Sequence, residues 1–234
     1  MRSKTFSSLA VLAFGVAVIT CGTARANLVF NGDFALYGGT APKDFTSNCL
    51  PTDWSNGGYV FLDAPNTATT GPGIPVWGPF PAPSGNGNFI ESDASSGLAQ
   101  PVSQMINSLT VGQSYSVSFI QAAGQQYGDS GATIEQWQVS LGSDTQFSAV
   151  MNTPSEGVFP WETQTLTYTA SGTSELLSFL AVGSGGVPPI AFLDGVDMES
   201  SVPEPSAGLL LAGVGTVVAM GRLGRRAMAK SSAV

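Results

Sequence analysis

The sequence predicts an all-β protein, a jelly-roll or two-sheet β-sandwich flanked by an N-terminal signal helix and a short C-terminal hydrophobic helix. Three observations carry that expectation. Apolar and polar residues alternate with period two in run after run; 29 Gly and 15 Pro punctuate 234 residues of which only 10% are charged; and no segment of the middle shows the 3.6-residue period of an amphipathic helix. A chain of this length accommodates one sizeable core plus appendages. The domain is placed at 27–200, after a leader at 1–26 and before a tail at 201–226 and a terminal stretch at 227–234.

In chain order, strands are expected at 27–31, 58–63, 87–92 and 101–107. Tyr115, Val117 and Phe119 then alternate with Ser114, Ser116 and Ser118; Trp137, Val139 and Leu141 alternate with Gln136, Gln138 and Ser140; Leu166 and Tyr168 alternate with Thr165, Thr167 and Thr169. Each is the pattern of a strand with one face buried. Leu176 to Val182 is more continuously apolar and reads as a strand covered on both faces, and 190–199 closes the domain. Residues 64–86 hold six prolines, with Trp77 and Phe80 among them, and read as one long loop.

The two ends carry addresses. Arg2 and Lys4 precede an apolar run from Leu9 to Ile19, and Ala24-Arg25-Ala26 supplies the small side chains that signal peptidase accepts, so cleavage is expected after Ala26. That run of 11 residues falls short of the ~20 needed to span a bilayer. At the other end Pro203-Glu204-Pro205 leads into Ala207 to Met220, 14 residues without a charge, and then into Arg222, Arg225 and Arg226. The prolines exclude a helix at the entry, the apolar run forms a marginal membrane helix, and the arginines stay cytoplasmic, leaving 227–234 as a cytoplasmic tail.

This order of parts resembles the PEP-CTERM sorting signal, a group also called the ice-binding-protein C-terminal domain. The resemblance implies a Gram-negative host, transient anchoring in the inner membrane, recognition of Pro203, Glu204 and Pro205 by an exosortase-type membrane peptidase, and delivery to the cell surface or extracellular matrix. Within the domain, Asn27-Leu-Val-Phe-Asn-Gly-Asp-Phe34, the stretch Val102 to Phe119 and Ala191-Phe-Leu-Asp-Gly-Val-Asp197 resemble the opening, paired and closing strands of galactose-binding-like and carbohydrate-binding-module jelly rolls. That resemblance implies a glycan ligand, here an exopolysaccharide.

Charge and composition exclude several alternatives. All 16 acidic residues lie between Asp33 and Glu204, where Lys43 is the single cation, so residues 27–204 carry a net −15 and would repel nucleic-acid phosphates. No histidine is present, which removes Ser-His-Asp and Cys-His catalysis and imidazole metal sites. Cys21 would leave with the leader, stranding Cys49 without an intramolecular partner.

Sugar sites need aromatic faces beside amides or carboxylates, and Trp54, Trp77, Tyr127 and Trp161 are the candidates. The reading is a non-catalytic glycan binder. Its alternatives are a carboxylate glycoside hydrolase or lyase using residues such as Asp129, Glu135, Glu156 and Glu162, and a purely structural matrix protein.

Asp194 is singled out by parity. Along the closing strand it shares alternation with Ile190, Phe192, Val196 and Met198, which points it toward an apolar face. A carboxylate there must be hydrogen-bonded, protonated or metal-bound. In the jelly rolls this domain resembles, the matching Asp ligates a structural calcium with an acid of the first strand. Asp33 is the nearby acid here, because Ala35 stands where relatives carry Glu; the alternative is that Asp194 accepts backbone N–H groups.

Overall fold

A computed structural model describes residues 26–38, 51–55, 60–70, 73–83 and 87–201. Ala24, Lys43, Cys49, Pro203, Glu204, Pro205, Arg222, Arg225 and Arg226 lie outside the described residues. Among the described residues no helix is long and apolar enough to cross a membrane.

Among the described residues ten strands form two antiparallel sheets: β1 (Val60–Asp63), β2 (Phe89–Asp93), β3 (Val102–Asn107), β4 (Ser114–Gln125), β5 (Thr133–Leu141), β6 (Asp144–Phe147), β7 (Met151–Thr153), β8 (Val158–Thr169), β9 (Ser174–Gly185) and β10 (Pro189–Ser200). The first sheet has the order β1-β2-β10-β4-β8 and the second β3-β9-β5-β6, with β7 also on β5. The chain changes sheet at every connection from β2 to β5 and from β7 to β10, so sequence neighbours face each other across the core. The all-β, two-sheet expectation holds.

The alternating residues fill the space between the sheets. Phe119 of β4 meets Phe179 of β9 edge-on at 5.2 Å, and Trp137 of β5 lies 6.4 Å from the same ring. The polar tips of the buried aromatics find carbonyls across the sandwich or along the sheet: Trp137 Nε1 donates to Phe192 O at 3.2 Å, and Tyr168 Oη donates to Val139 O at 2.9 Å. Burial of each large ring is worth roughly 1.5–3 kcal/mol, so this layer dominates the stability.

Three expectations need correction. Residues 27–31 form no strand: Asn31 and Phe34 have positive φ, and the segment is tied down by other means. Gln104 supplies a side-chain amide where a neighbouring strand would supply backbone, bonding both Phe30 N–H and Phe30 O at 2.8 Å, while Leu28 N–H donates to Met198 O. Leu176 to Val182 is covered on one face only, with Leu177, Phe179 and Ala181 buried and Leu176 exposed, since nothing in the described chain lies over the second sheet's outer surface at this point. Finally, β6 and β7 were hidden by brevity: they share one edge of β5, separated at Ser148, which exchanges hydrogen bonds with the Trp137 backbone.

The described residues of 64–83 contain no strand, yet they are not a free loop. Its latter part, Gly73–Pro83, crosses the outer face of the first sheet as a strap. Val76, Phe80 and Ala68 are buried there against Phe89, Ala122, Ile190 and Phe192, making a second apolar core. Phe80 lies 4.5 Å from Phe192 and 5.7 Å from Trp161. Gly124 permits the close approach, because a Cβ at that position would stand 2.9 Å from the Val76 Cβ.

Candidate functional site

The strap delivers Trp77 to one end of the sandwich, where the β4–β5 connection presents Tyr127. The two rings sit 4.6 Å apart with their planes tilted by 53°. Their positions are fixed by two backbone bonds and one from the indole. Trp77 N–H donates to Gln125 O at 3.0 Å, Tyr127 N–H to Pro75 O at 2.7 Å, and the indole Nε1 to Asp129 O at 2.9 Å. Tyr127 is 62% exposed and Trp77 is half-buried, so an apolar corner is held open to solvent.

Polar groups surround this corner. Gln125 is its hub: its carbonyl holds Trp77, its amide donates to Gly157 O, and its side-chain Oε1 accepts from Glu156 N–H. Gly131 N–H donates to Ser155 Oγ, joining the β4–β5 connection to the β7–β8 turn. Asp129 and Glu156 are therefore on the two loops that flank the aromatic pair. The arrangement can stack an apolar sugar face while neighbouring polar groups meet hydroxyls.

The other two aromatics are placed differently. Trp54 is only 4% exposed, donates its Nε1 to Asn31 O at 3.0 Å, and packs at 5.3 Å from Phe34 and 6.3 Å from Phe179. It is core, because the segment after residue 50 folds under the N-terminal turn. Trp161 contributes to the second core and donates Nε1 to Pro81 O at 2.9 Å, pinning the strap. Its partly exposed edge borders a groove of about 400 Å³ with Pro81, Ala82, Ile120 and Glu162.

The acids raised as catalytic alternatives stand in three different surroundings. Glu135 is fully buried between the sheets, accepting a 2.6 Å bond from Thr153 Oγ1, and burial pushes its pKa up to about 7. Glu162, on β8, accepts from Gln121 Nε2 at 2.8 Å and Gln164 Nε2 at 3.0 Å. Asp129 and Glu156 stand on the loops beside Trp77.

Asp194 lies on the strap side of the first sheet, not in the inter-sheet core. Gly195 (φ 59°) inserts a bulge, so β10 advances from Asp194 to Asp197 while β4 retreats only from Ile120 to Ser118. Ile190 and Phe192 thus share the face of Asp194, whereas Val196 and Met198 belong with Leu193 in the main core. Strict alternation misassigned the latter pair. Asp194 Oδ1 accepts from Gly195 N–H at 2.6 Å, and burial, with the charge of Asp33 adding to it, raises the pKa to about 7.

Asp33 itself is exposed, but its carbonyl oxygen and Asp194 Oδ2 both approach Gly87, where a Cβ would lie 3.3 and 3.9 Å from them. These oxygens suit calcium in kind. They fall short of the 6–8 ligands it takes, and no group of three His, Cys, Asp or Glu assembled for a metal occurs among the described residues.

Sequence reasoning overlooked a second buried acid cluster. Glu91 of β2 lies under the strap, its Oε1 accepting from Ile74 N–H at 2.8 Å; burial first, then the neighbouring Asp63, holds its pKa well above the usual carboxylate range. The signal available was an acid directly after an apolar run in each case, Asp63 after Val60-Phe61-Leu62 and Glu91 after Phe89-Ile90.

No known family profile and no curated protein matches the chain. Solved structures similar to it include TmCBM61 in complex with β-1,4-galactotriose, at 16% identity over 75% of this chain and 99% of that one, with a TM-score of 0.45. The CBM22-1 xylan-binding domain of Paenibacillus barcinonensis Xyn10C is similar at 13% identity over 78% of this chain and 99% of that one, TM-score 0.40. A CBM4 module is similar at 18% identity over 74% and 99%, TM-score 0.36. At these values the likeness assigns no ligand to this chain.

Proposed function

We propose that this β-sandwich is a non-catalytic glycan-binding domain whose contact surface is the Trp77–Tyr127 corner. The observation that carries the reading is a pair of aromatic rings, Tyr127 exposed and Trp77 half-buried, held side by side by three hydrogen bonds to backbone carbonyls, at 3.0, 2.7 and 2.9 Å. Exposing such rings forfeits burial, and the flanking Asp129 and Glu156 are the polar complement a sugar requires.

The test is retention on β-1,4-galactan, xylan and the host's exopolysaccharide in affinity gels. Trp77→Ala and Tyr127→Ala should each abolish retention with the melting temperature of Tyr127→Ala unchanged. Failure of every polymer to retard the wild type leaves a structural matrix protein, and release of reducing ends would make it an enzyme.

The address reading completes the proposal. The leader is removed after Ala26 by signal peptidase; an exosortase-type peptidase then recognises Pro203-Glu204-Pro205 while the run before Arg222, Arg225 and Arg226 anchors the chain in the inner membrane. The domain ends on the cell surface or in the extracellular matrix of a Gram-negative bacterium. N-terminal sequencing of secreted material should begin at Asn27, and intact mass in an exosortase-bearing host should lack residues 207–234. An intact tail would reduce the motif to a plain anchor.

A further inference from the structure

A sandwich can grip a polysaccharide along an open sheet face or only at its loops, and the two modes select different parts of the polymer. The side chains that a sheet-face cleft needs are present here on β2 and β10, but they are sealed. Phe89, Phe192 and Glu91 are at most 1% exposed, Phe80 of the strap lies 4.5 Å from Phe192, and the strap's Ile74 N–H holds Glu91 Oε1. The outward side of the strap is a ridge. Gly78, Pro79 and Pro81 are exposed where Val76 and Phe80 point down, and this ridge follows Trp77 and ends against the Trp161 indole.

What remains accessible at the Trp77 end is narrow. Two rings 4.6 Å apart and tilted by 53° pack on each other as one unit; they do not line up as the coplanar row that a chain of stacked sugars would need. The electrostatics narrow the choice again, because the described residues include no Lys or Arg, and the loops bearing the corner carry Asp129 and Glu156.

Resting on the glycan reading above, we propose that the corner takes a single sugar residue, a chain end or a side branch, and that this residue is uncharged or carries an amine. A uronate would meet only acidic neighbours. An internal run of an extended chain would have to climb the proline ridge.

The experiment is titration calorimetry of the secreted domain with xylo- and galacto-oligosaccharides of one, three and six residues, a glucosamine oligomer and a galacturonate oligomer. Affinity should change by no more than about threefold between three and six residues, and the galacturonate oligomer should not bind. Tyr127→Ala should remove affinity for every oligomer that binds. Affinity that rises about tenfold or more with length shows an extended contact and overturns the single-residue mode while leaving the glycan reading intact. Uronate binding overturns the charge assignment. Absence of binding to every oligomer and to the host exopolysaccharide, or binding that survives Tyr127→Ala, overturns the corner as a sugar site and the single-residue mode with it.

Discussion

The two faces of the first sheet are both buried, but by different means. Its inner face packs on a second sheet, strand against strand, through Val117, Phe119, Leu193 and Met198; its outer face packs on an irregular strap through Phe80 and Val76. The inner layer is cooperative by construction, since each strand is bonded to neighbours that also contribute to the core. The strap is held by a few backbone contacts, among them Val76 N–H to Ala68 O and Trp77 N–H to Gln125 O. Equal burial therefore need not mean equal resistance to opening.

The strongest test of that contrast is a pair of truncations. Phe179→Ala, between the sheets, should cost about 4 kcal/mol and lower the global unfolding midpoint, as large cavities do. Phe80→Ala should cost about 2 kcal/mol and act locally, with faster amide exchange at Ile74, Val76 and Trp77 while β4, β5 and β9 stay protected. Equal exchange throughout would make strap and sandwich one unit.

Protonation sharpens the comparison, since Glu135 is buried between the sheets while Glu91 and Asp194 lie on the strap side. All three have pKa values raised in the fold, Glu135 and Asp194 to about 7. A carboxyl whose pKa is higher folded than unfolded stabilises at acid pH, and that contribution is lost as pH climbs through the folded value. Urea midpoints should thus fall from pH 5 to pH 8. Glu135→Gln should remove its share, about 2 kcal/mol at pH 8, and flatten the profile. A profile that rises with pH would mean the acids are ionised and paired in a way this geometry does not show.

Gly124→Ala tests the seam between strap and sheet, because the new methyl would press on Val76; a loss of about 1–2 kcal/mol is expected, recovered in part by Val76→Ala. The smallest effects belong to surfaces outside both cores. Tyr127→Ala should move stability by less than about 0.5 kcal/mol while removing glycan retention. The geometry at Asp194 predicts a melt insensitive to chelator; a calcium-dependent rise that disappears in Asp194→Asn would add a cation to the Asp33–Gly87 corner.

The sequence by itself determined the all-β class and the inward residues of β4, β5 and β8, because a period of two directs every other side chain to the core whatever the neighbouring strand is. It also marked Trp77 and Tyr127 as candidates, without showing that 50 residues of chain would close to put them together. Tertiary structure alone decided the rest. Gly195 reversed the parity of β10, Gln104 replaced a strand at residues 27–31 with side-chain bonds, and the strap turned a sheet face into a second core. The physical reason is common to all three: alternation records which side of a strand is apolar, but what covers that side, and where an extra residue shifts it, depends on contacts between segments far apart in the chain.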